Sequence, residues 1–298
     1  MTTQIEIQRQ TSSSTAEARQ LVSFCFYKVD PAWRRLSKSE KAKQSGDLTA
    51  AVNAYAKRLM LLTYSLIGLK ADVDFLIWAV GSRLEELQEM SGAVRQTAMA
   101  GYLSMPYSYL SMTKRSTYVD QLDPEHQDKR RFITPANARY LFVYPFVKTR
   151  EWYQLPFEQR QAMMDEHIRV GNKYPSVRLH TTYSFGLDDQ EFVVAFETDK
   201  PQDFLDLVME LRETKGSIYT LRDTPIFTCV AKPFSDILKD LGGWGGAWRG
   251  RRQRQAAPLQ PARCSLPATR RASTPSWPIR SKEPVRPRPS SSSMSGGD

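Results

Sequence analysis

At 298 residues, with 41% hydrophobic and 11% aromatic side chains, the chain has the length and composition of a globular protein with one large or two smaller domains. No apolar run is long enough to cross a bilayer, and the start, MTTQIEIQRQTSSST, lacks the basic residues and apolar core of a signal peptide, so no membrane is expected and the cytoplasm is the expected compartment. The net charge of +10 looks like a nucleic-acid signal until it is located: residues 242–298 hold eleven Lys or Arg and two Asp or Glu, so +9 lies in the tail and nucleic acid is not the expected partner of the folded part.

Residues 1–16 are rich in Ser, Thr and Gln and read as disordered. LVSFCFYKV, Leu21 to Val29, reads as a buried strand, Asp30-Pro31 as a turn, and residues 32–60 as helical material. Leu61 to Leu69 and Asp74 to Val80 read as a hairpin of two strands. Residues 82–103 read as a helix with Leu84, Leu87 and Met90 on its apolar side. Residues 105–138, with Pro106, Pro124, Pro135 and the run DPEHQDKRR, read as a long irregular stretch. The pattern then restarts with a strand at Ala138 to Phe146. Cys25, Cys229 and Cys264 are few and scattered, which suits reduced thiols.

Trp152 to His167, WYQLPFEQRQAMMDEH, reads as one helix with Pro156 in a first helical turn. Glu158, Asp165 and Glu166, with Arg160, supply its wet face, and Met163, Met164 and His167 its inner face. The plain reading of His167 is a core histidine hydrogen-bonded through one ring nitrogen; the sharper one is a metal or haem ligand. With no histidine at i+4 and no cysteine nearby, a zinc site built by the protein is not expected. VRLHTTYSF is the next strand, EFVVAFE its hairpin partner, DFLDLVMELRETK a helix and PIFTCV a closing strand. Asp188 and Asp189 of GLDD fall in the hairpin turn, where they are expected to bond backbone N–H groups.

The two halves repeat. Thr63 to Val80 can be laid on Thr182 to Phe196 with small gaps in the turns, each followed by a helix, and each half runs strand, helix, strand, strand, helix. The fold class expected is therefore α+β, with two tandem ferredoxin-like repeats forming a dimeric α/β-barrel-type domain. The expected divisions are a disordered 1–16, an N-terminal half with its connecting segment at 17–135, a C-terminal half at 136–241, and a Pro/Arg/Ser-rich basic tail at 242–298. The tail reads as disordered, as a binder of nucleic acid or acidic partners, or as an abnormal C-terminus.

YPFVK at Tyr144 to Lys148, Trp152 with Tyr153, MMDEH ending at His167, GLDD at Gly186 to Asp189 and ELR at Glu210 to Arg212 occur in this order on that frame. In these motifs the second half resembles the chlorite dismutase-like haem protein superfamily, and within it the coproheme decarboxylase branch. The resemblance covers roughly Arg130 to Val230, with a weaker match in the first half. It implies His167 as the proximal ligand of a haem iron, Tyr144 as a redox-active tyrosine and Lys148 as its partner. It places Arg130 or Arg131, Arg212 and Ser217 where the family holds propionates, and Trp152 at the haem edge. The ordinary readings of these residues are core aromatics for Tyr144 and Trp152, a solvated helix position for Arg212 and an exposed loop for Lys148.

At the distal position the two registers disagree: counting from His167 gives His180, and counting back from GLDD gives Leu179. Strand alternation lets only one of them face the pocket. A distal His180 would be an acid–base group for peroxide, Leu179 would leave a dry pocket, and neither register supplies the arginine of chlorite chemistry. The family's glutamate against the proximal histidine has no clear counterpart near Lys215 to Ser217. The resemblance implies haem as cofactor, with iron coproporphyrin III as substrate, haem b as product and hydrogen peroxide as oxidant, in a homo-oligomer, a pentamer in the family. The alternatives are a haem b protein of the family that senses, carries or weakly peroxidises, and a cofactor-free interaction protein.

Overall fold

The structure, a computed structural model, describes residues 19–118 and 132–243. The expectations placed on residues 1–16, on Arg130 and Arg131, and on the tail beyond Gly243 lie outside the described residues. Those described belong to the compact unit Met1–Trp248.

The fold is mixed α/β with one large antiparallel sheet. In chain order its strands are β1 (Leu21–Val29), β2 (Met60–Ser65), β3 (Phe75–Gly81), β4 (Leu103–Met112), β5 (Tyr140–Lys148), β6 (Arg178–Tyr183), β7 (Phe192–Thr198), β8 (Thr220–Arg222) and β9 (Phe227–Ala231). The hydrogen-bonded order is β7-β6-β4-β1-β3-β2-β9-β5, and β5 pairs with β7 to close a ring. Closure removes the open edges that a sheet of this size would otherwise present. The short β8 hangs from the end of β5 at Val147 and Lys148.

Within the ring, the first half runs β4-β1-β3-β2 and the second runs β6-β7-β5-β9, so both have the same strand order. Two narrow seams join them. One is β2 with β9, at Tyr64–Ala231 and Ser65–Val230, reinforced by the Thr63 hydroxyl donating to the Lys232 carbonyl at 2.7 Å. The other is β4 with β6, paired at Met112–Tyr183, where Ser184 Oγ donates to the Leu110 carbonyl at 2.8 Å.

Alternation along the strands sorts the side chains into an interior and two outer layers. Phe24, Phe26, Trp78, Leu141, Val143 and Phe227 fill the ring; Phe26 and Phe227 stack at 3.9 Å between centroids. Outside the first half, Trp33, Phe75 and Ile77 pack against α1 (Lys38–Asn53), α2 (Leu84–Arg95) and a later helix carrying Ile237. Outside the second half lie Phe142, Tyr144 and Phe196. The helices there are α3 (Arg150–Gln154), α4 (Phe157–Asn172) and α5 (Pro201–Glu213), of which α5 contributes Phe204 and Leu207; α6 (Phe234–Asp240) is the later helix of the first layer. Replacing Phe26 with Ala, in the middle of the interior stack, is expected to cost about 3–5 kcal/mol, read as a fall in the denaturant midpoint.

Local chemistry sets most helix ends. Ser37 and Glu40 form a reciprocal capping box on α1, Glu85 and Glu86 meet the positive end of α2, and Pro201 takes the first turn of α5.

Four expectations need correction. The irregular stretch from 105 begins with a strand, β4, which pairs with β1 along most of its length. Its alternation is interrupted by Pro106, which sits where the β1–β4 register shifts between Phe26 and Lys28, the kind of irregularity at which a strand tolerates proline. The single helix from Trp152 to His167 is two, because Leu155 and Pro156 are extended (ψ 144° and 146°) and Pro156 caps α4 rather than opening it. The helical material after Pro31 is a 3-10 turn at Pro31–Arg35 followed by α1, which stops at Asn53. The strand expected to reach Leu69 ends at Ser65, and Gly68, at φ 77°, makes the turn in its place.

Candidate functional site

β5 supplies the site's first residues by alternation. Leu141 and Val143 point into the ring, so Phe142 and Tyr144 point outward under the helices of the second half. Tyr144 is buried, with its ring nearly parallel to Phe196 at 5.8 Å. Burial pushes its phenol well above the ordinary range, and the Asp223 carboxylate adds to this while the Arg212 guanidinium opposes it. The O–H bond is therefore intact at neutral pH.

At the end of β5 the half-buried Lys148 turns back over Trp152, its ammonium 4.5 Å from the ring centroid, and donates to the Gly216 carbonyl at 2.7 Å. Burial brings this amine down to about 8, with Glu191 pulling the other way. Trp152 is buried on α3, tilted against Tyr219 at 5.6 Å and edge-on to Tyr118 at 6.1 Å.

α4 carries His167. None of its sixteen residues is fully buried, and Met163, Met164 and His167 are each half-buried. Met163 lines a cavity of about 450 Å³ on one flank of α4 with Gln159, Ala162, Glu166, Arg169 and Lys215. The neighbouring Glu166 accepts from the Lys215 backbone N–H at 3.0 Å and so fastens α4 to the 3-10 turn at Lys215–Tyr219. Desolvation lowers the His167 imidazole to about 4, and the Lys148 charge adds to the effect. The ring is consequently neutral at physiological pH with a lone pair to offer, although α4 as a whole presents a loosely covered face. Among the described residues no group of three or more His, Cys, Asp or Glu side chains could hold a metal ion.

The two registers for the distal residue separate on β6. Leu179 joins Tyr144, Phe196 and Val170 of α4 in the outer layer. His180 points the other way, into the ring: it is buried, edge-on to Trp78 at 5.7 Å, and its Nε2 is 2.7 Å from Glu197 Oε2. Glu197 also accepts from the Ala136 backbone N–H at 2.8 Å. A catalytic His180 on the Tyr144 side is thus corrected, because the pleat puts it on the opposite face of the sheet.

The structure brings Tyr144, Lys148, Trp152, His167 and Leu179 to the helix-covered side of the second half. Arg212 lies at the end of α5 within electrostatic reach of Tyr144, ion-paired with Asp223 at 2.5 Å. Ser217 Oγ donates to the Arg212 carbonyl at 2.7 Å and closes the helix end. In GLDD, Asp188 accepts from the backbone N–H groups of Leu110 (2.7 Å) and Asp189 (2.8 Å), tying the β6–β7 hairpin across the seam to β4.

Two residues escaped sequence reasoning. Glu191, buried just before β7, accepts from the Lys148 backbone N–H (2.8 Å) and the Tyr153 hydroxyl (2.6 Å), so it holds both the end of β5 and α3 in place. Arg160, assigned to the wet face of its helix, is half-buried with Nε covered and without a hydrogen-bond partner. The signal for it was its spacing of seven residues from His167, which returns a helix to nearly the same face.

The family model described as chlorite dismutase matches residues 41–232. A coproheme decarboxylase of Mycolicibacterium smegmatis is 35% identical over 166 residues, 55% of this chain and 70% of that protein. A chlorite dismutase of Candidatus Nitrospira defluvii, solved in complex with imidazole, superposes with a TM-score of 0.68 at 25% identity, over 74% of this chain and 94% of that one. A structure described as a novel heme-binding protein from Thermus thermophilus has the same fold, with a TM-score of 0.67 at 23% identity, over 76% and 95%.

Proposed function

Because the chain belongs to the chlorite dismutase family, we propose that it binds an iron porphyrin at His167 and, with peroxide, converts iron coproporphyrin III to haem b by removing two carboxyl groups. The observation that carries the reading is the arrangement along β5: a protonated, buried Tyr144 and, four residues on, a half-buried Lys148 whose charge reaches His167.

The donor set fits a haem. One neutral imidazole would hold the iron, the Tyr144, Phe146, Leu179 and Val170 side chains make an apolar wall, and cations stand at its margin for carboxylates. When bound, the iron porphyrin supplies the centre that peroxide oxidises. The chain's residues do the rest. His167 would hold the iron through a ring nitrogen. Lys148, fixed by the Gly216 carbonyl and the Trp152 face, orients a propionate. With peroxide as the two-electron oxidant, Tyr144 would lose its phenolic hydrogen to that oxidant and recover one from a C–H bond of the propionate side chain; the carboxyl group then leaves as carbon dioxide, the vinyl group stays on the macrocycle and the second electron goes to the same oxidant. Leu179 and Phe196 keep water from the phenol.

A haem b protein without this chemistry is the second reading, favoured by the Arg212–Asp223 ion pair, which occupies a guanidinium expected on a propionate. The test is titration of purified protein with iron coproporphyrin III, then hydrogen peroxide, with products read by mass. The expected result is stepwise loss of two carboxyl groups; tight binding with no loss of mass transfers the site to the second reading. To the same proposal belong the description of residues 17–135 and 136–241 as ferredoxin-like repeats, supported by their common strand order, and assembly of the chain into a homo-oligomer.

A further inference from the structure

Arg160 is a cation in search of an anion. Arg160 is half-buried, its Nε is covered and has no acceptor, and among the described residues no carboxylate pairs with it. Arginine presents a rigid fork of donors, and leaving one covered and unbonded is unfavourable unless a partner arrives from outside. Two facts say where that partner comes from.

The first is helical geometry. Arg160, Met164 and His167 are spaced i, i+4, i+7, so they share a face of α4, and Arg160 stands two turns, about 10 Å, toward the N-terminus from His167. A planar macrocycle held at His167 has its carboxylates at its rim, displaced from the axial ligand and within the reach of a long side chain at that distance.

The second is a run of aromatic rings. The Arg160 guanidinium carbon lies 5.8 Å from the Phe157 ring centroid. Phe157 stacks with Tyr118 at 6.0 Å, Tyr118 meets Trp152 edge-on at 6.1 Å, and the Lys148 ammonium sits over Trp152 at 4.5 Å. Arg160 and Lys148 are therefore the two charged ends of one aromatic surface.

Resting on the porphyrin reading of His167, we propose that Arg160 clamps a propionate on the edge of the macrocycle where Lys148 stands, and so makes the site select a tetracarboxylate porphyrin over a dicarboxylate one. That edge is where Tyr144 and Lys148 work on the carboxylates that are lost. In iron coproporphyrin III it carries propionates that satisfy the fork; in haem b it carries vinyl groups, which leave Nε without an acceptor, as it is without ligand. Selection would then come from one planar, charge-assisted contact and not from pocket size.

The test is a pair of visible-absorbance titrations of the full chain, with iron coproporphyrin III and with haem b, on wild type, Arg160→Gln and Arg160→Lys. Arg160→Gln is expected to weaken iron coproporphyrin III by about 10–100-fold, the scale of a lost charge-assisted hydrogen bond, while haem b changes by less than about 2-fold. Arg160→Lys, which keeps the charge without the fork, should show the same selectivity with a smaller loss, and it decides the matter if the glutamine variant does not fold. Unchanged affinity for both porphyrins in the variants overturns the proposal, as does an equal loss for both, which would mark a structural role. If wild type binds neither porphyrin, the reading of His167 itself has failed and the clamp goes with it.

Discussion

Replacing Tyr144 with Phe is expected to abolish peroxide-driven carboxyl loss, by about 10³-fold or more, while iron coproporphyrin III binds as before. The substitution removes one oxygen and nothing else. The ring remains stacked on Phe196 at 5.8 Å in a layer already built from Phe142, Phe196 and Phe204, so a phenylalanine meets the same neighbours. Among the described residues no hydrogen bond to the phenol holds the fold, and the nearby charges, Asp223 and Arg212, satisfy each other. Mass analysis of the porphyrin after peroxide reads the chemistry, and the titration that precedes it reads binding. Carboxyl loss at the wild-type rate in the variant would show that Tyr144 is a wall of the site and not its reactive group.

Replacing His167 with Ala is expected to weaken porphyrin binding by at least about 100-fold, since even groups that only orient a metal ligand are worth 10–100-fold. The denaturant midpoint should hardly move. α4 buries none of its side chains completely, and it is anchored by contacts other than the imidazole, including Glu166 on the Lys215 N–H and, just past its C-terminal end, Lys173 on Glu210 of α5. Millimolar imidazole added to the variant should restore part of the axial ligation, which a merely misfolded protein would not recover. Retained wild-type affinity would return His167 to the ordinary class of covered histidines.

How much of this was legible depends on where the information sits. Strands at Leu21–Val29, Phe192–Thr198 and Phe227–Ala231 announce themselves as runs of β-branched and aromatic residues, and the element order of the second half followed from them. β4 did not, because its alternation is interrupted by a proline whose harmlessness depends on a bulge against β1, a fact about the partner strand and not about the segment. The break before α4 is missing from the sequence reading for a related reason: Pro156 is compatible with a first helical turn or with a cap, and the structure has it as the cap. At the site, the one-residue ambiguity between Leu179 and His180 could not be resolved by spacing, yet it is resolved at once by which face of β6 meets Tyr144. Arg160 was misread because charge was equated with exposure, whereas a guanidinium on a long stem can be charged and covered.

The unequal outer layers of the ring divide the labour between two halves of like strand order. On the first, α1, α2 and α6 pack over Trp33, Leu48 and Ile237, each of which is fully buried. On the second, α4 lies over the sheet without burying a single residue completely. The interior and the first layer already secure the architecture, so α4 is released from that duty. Its sequence is then free to drift toward whatever ligand it must grip, with little penalty in foldedness for a substitution along its inner face. A chain built this way can be altered along one helix and one strand end while the ring interior and the first layer keep their packing.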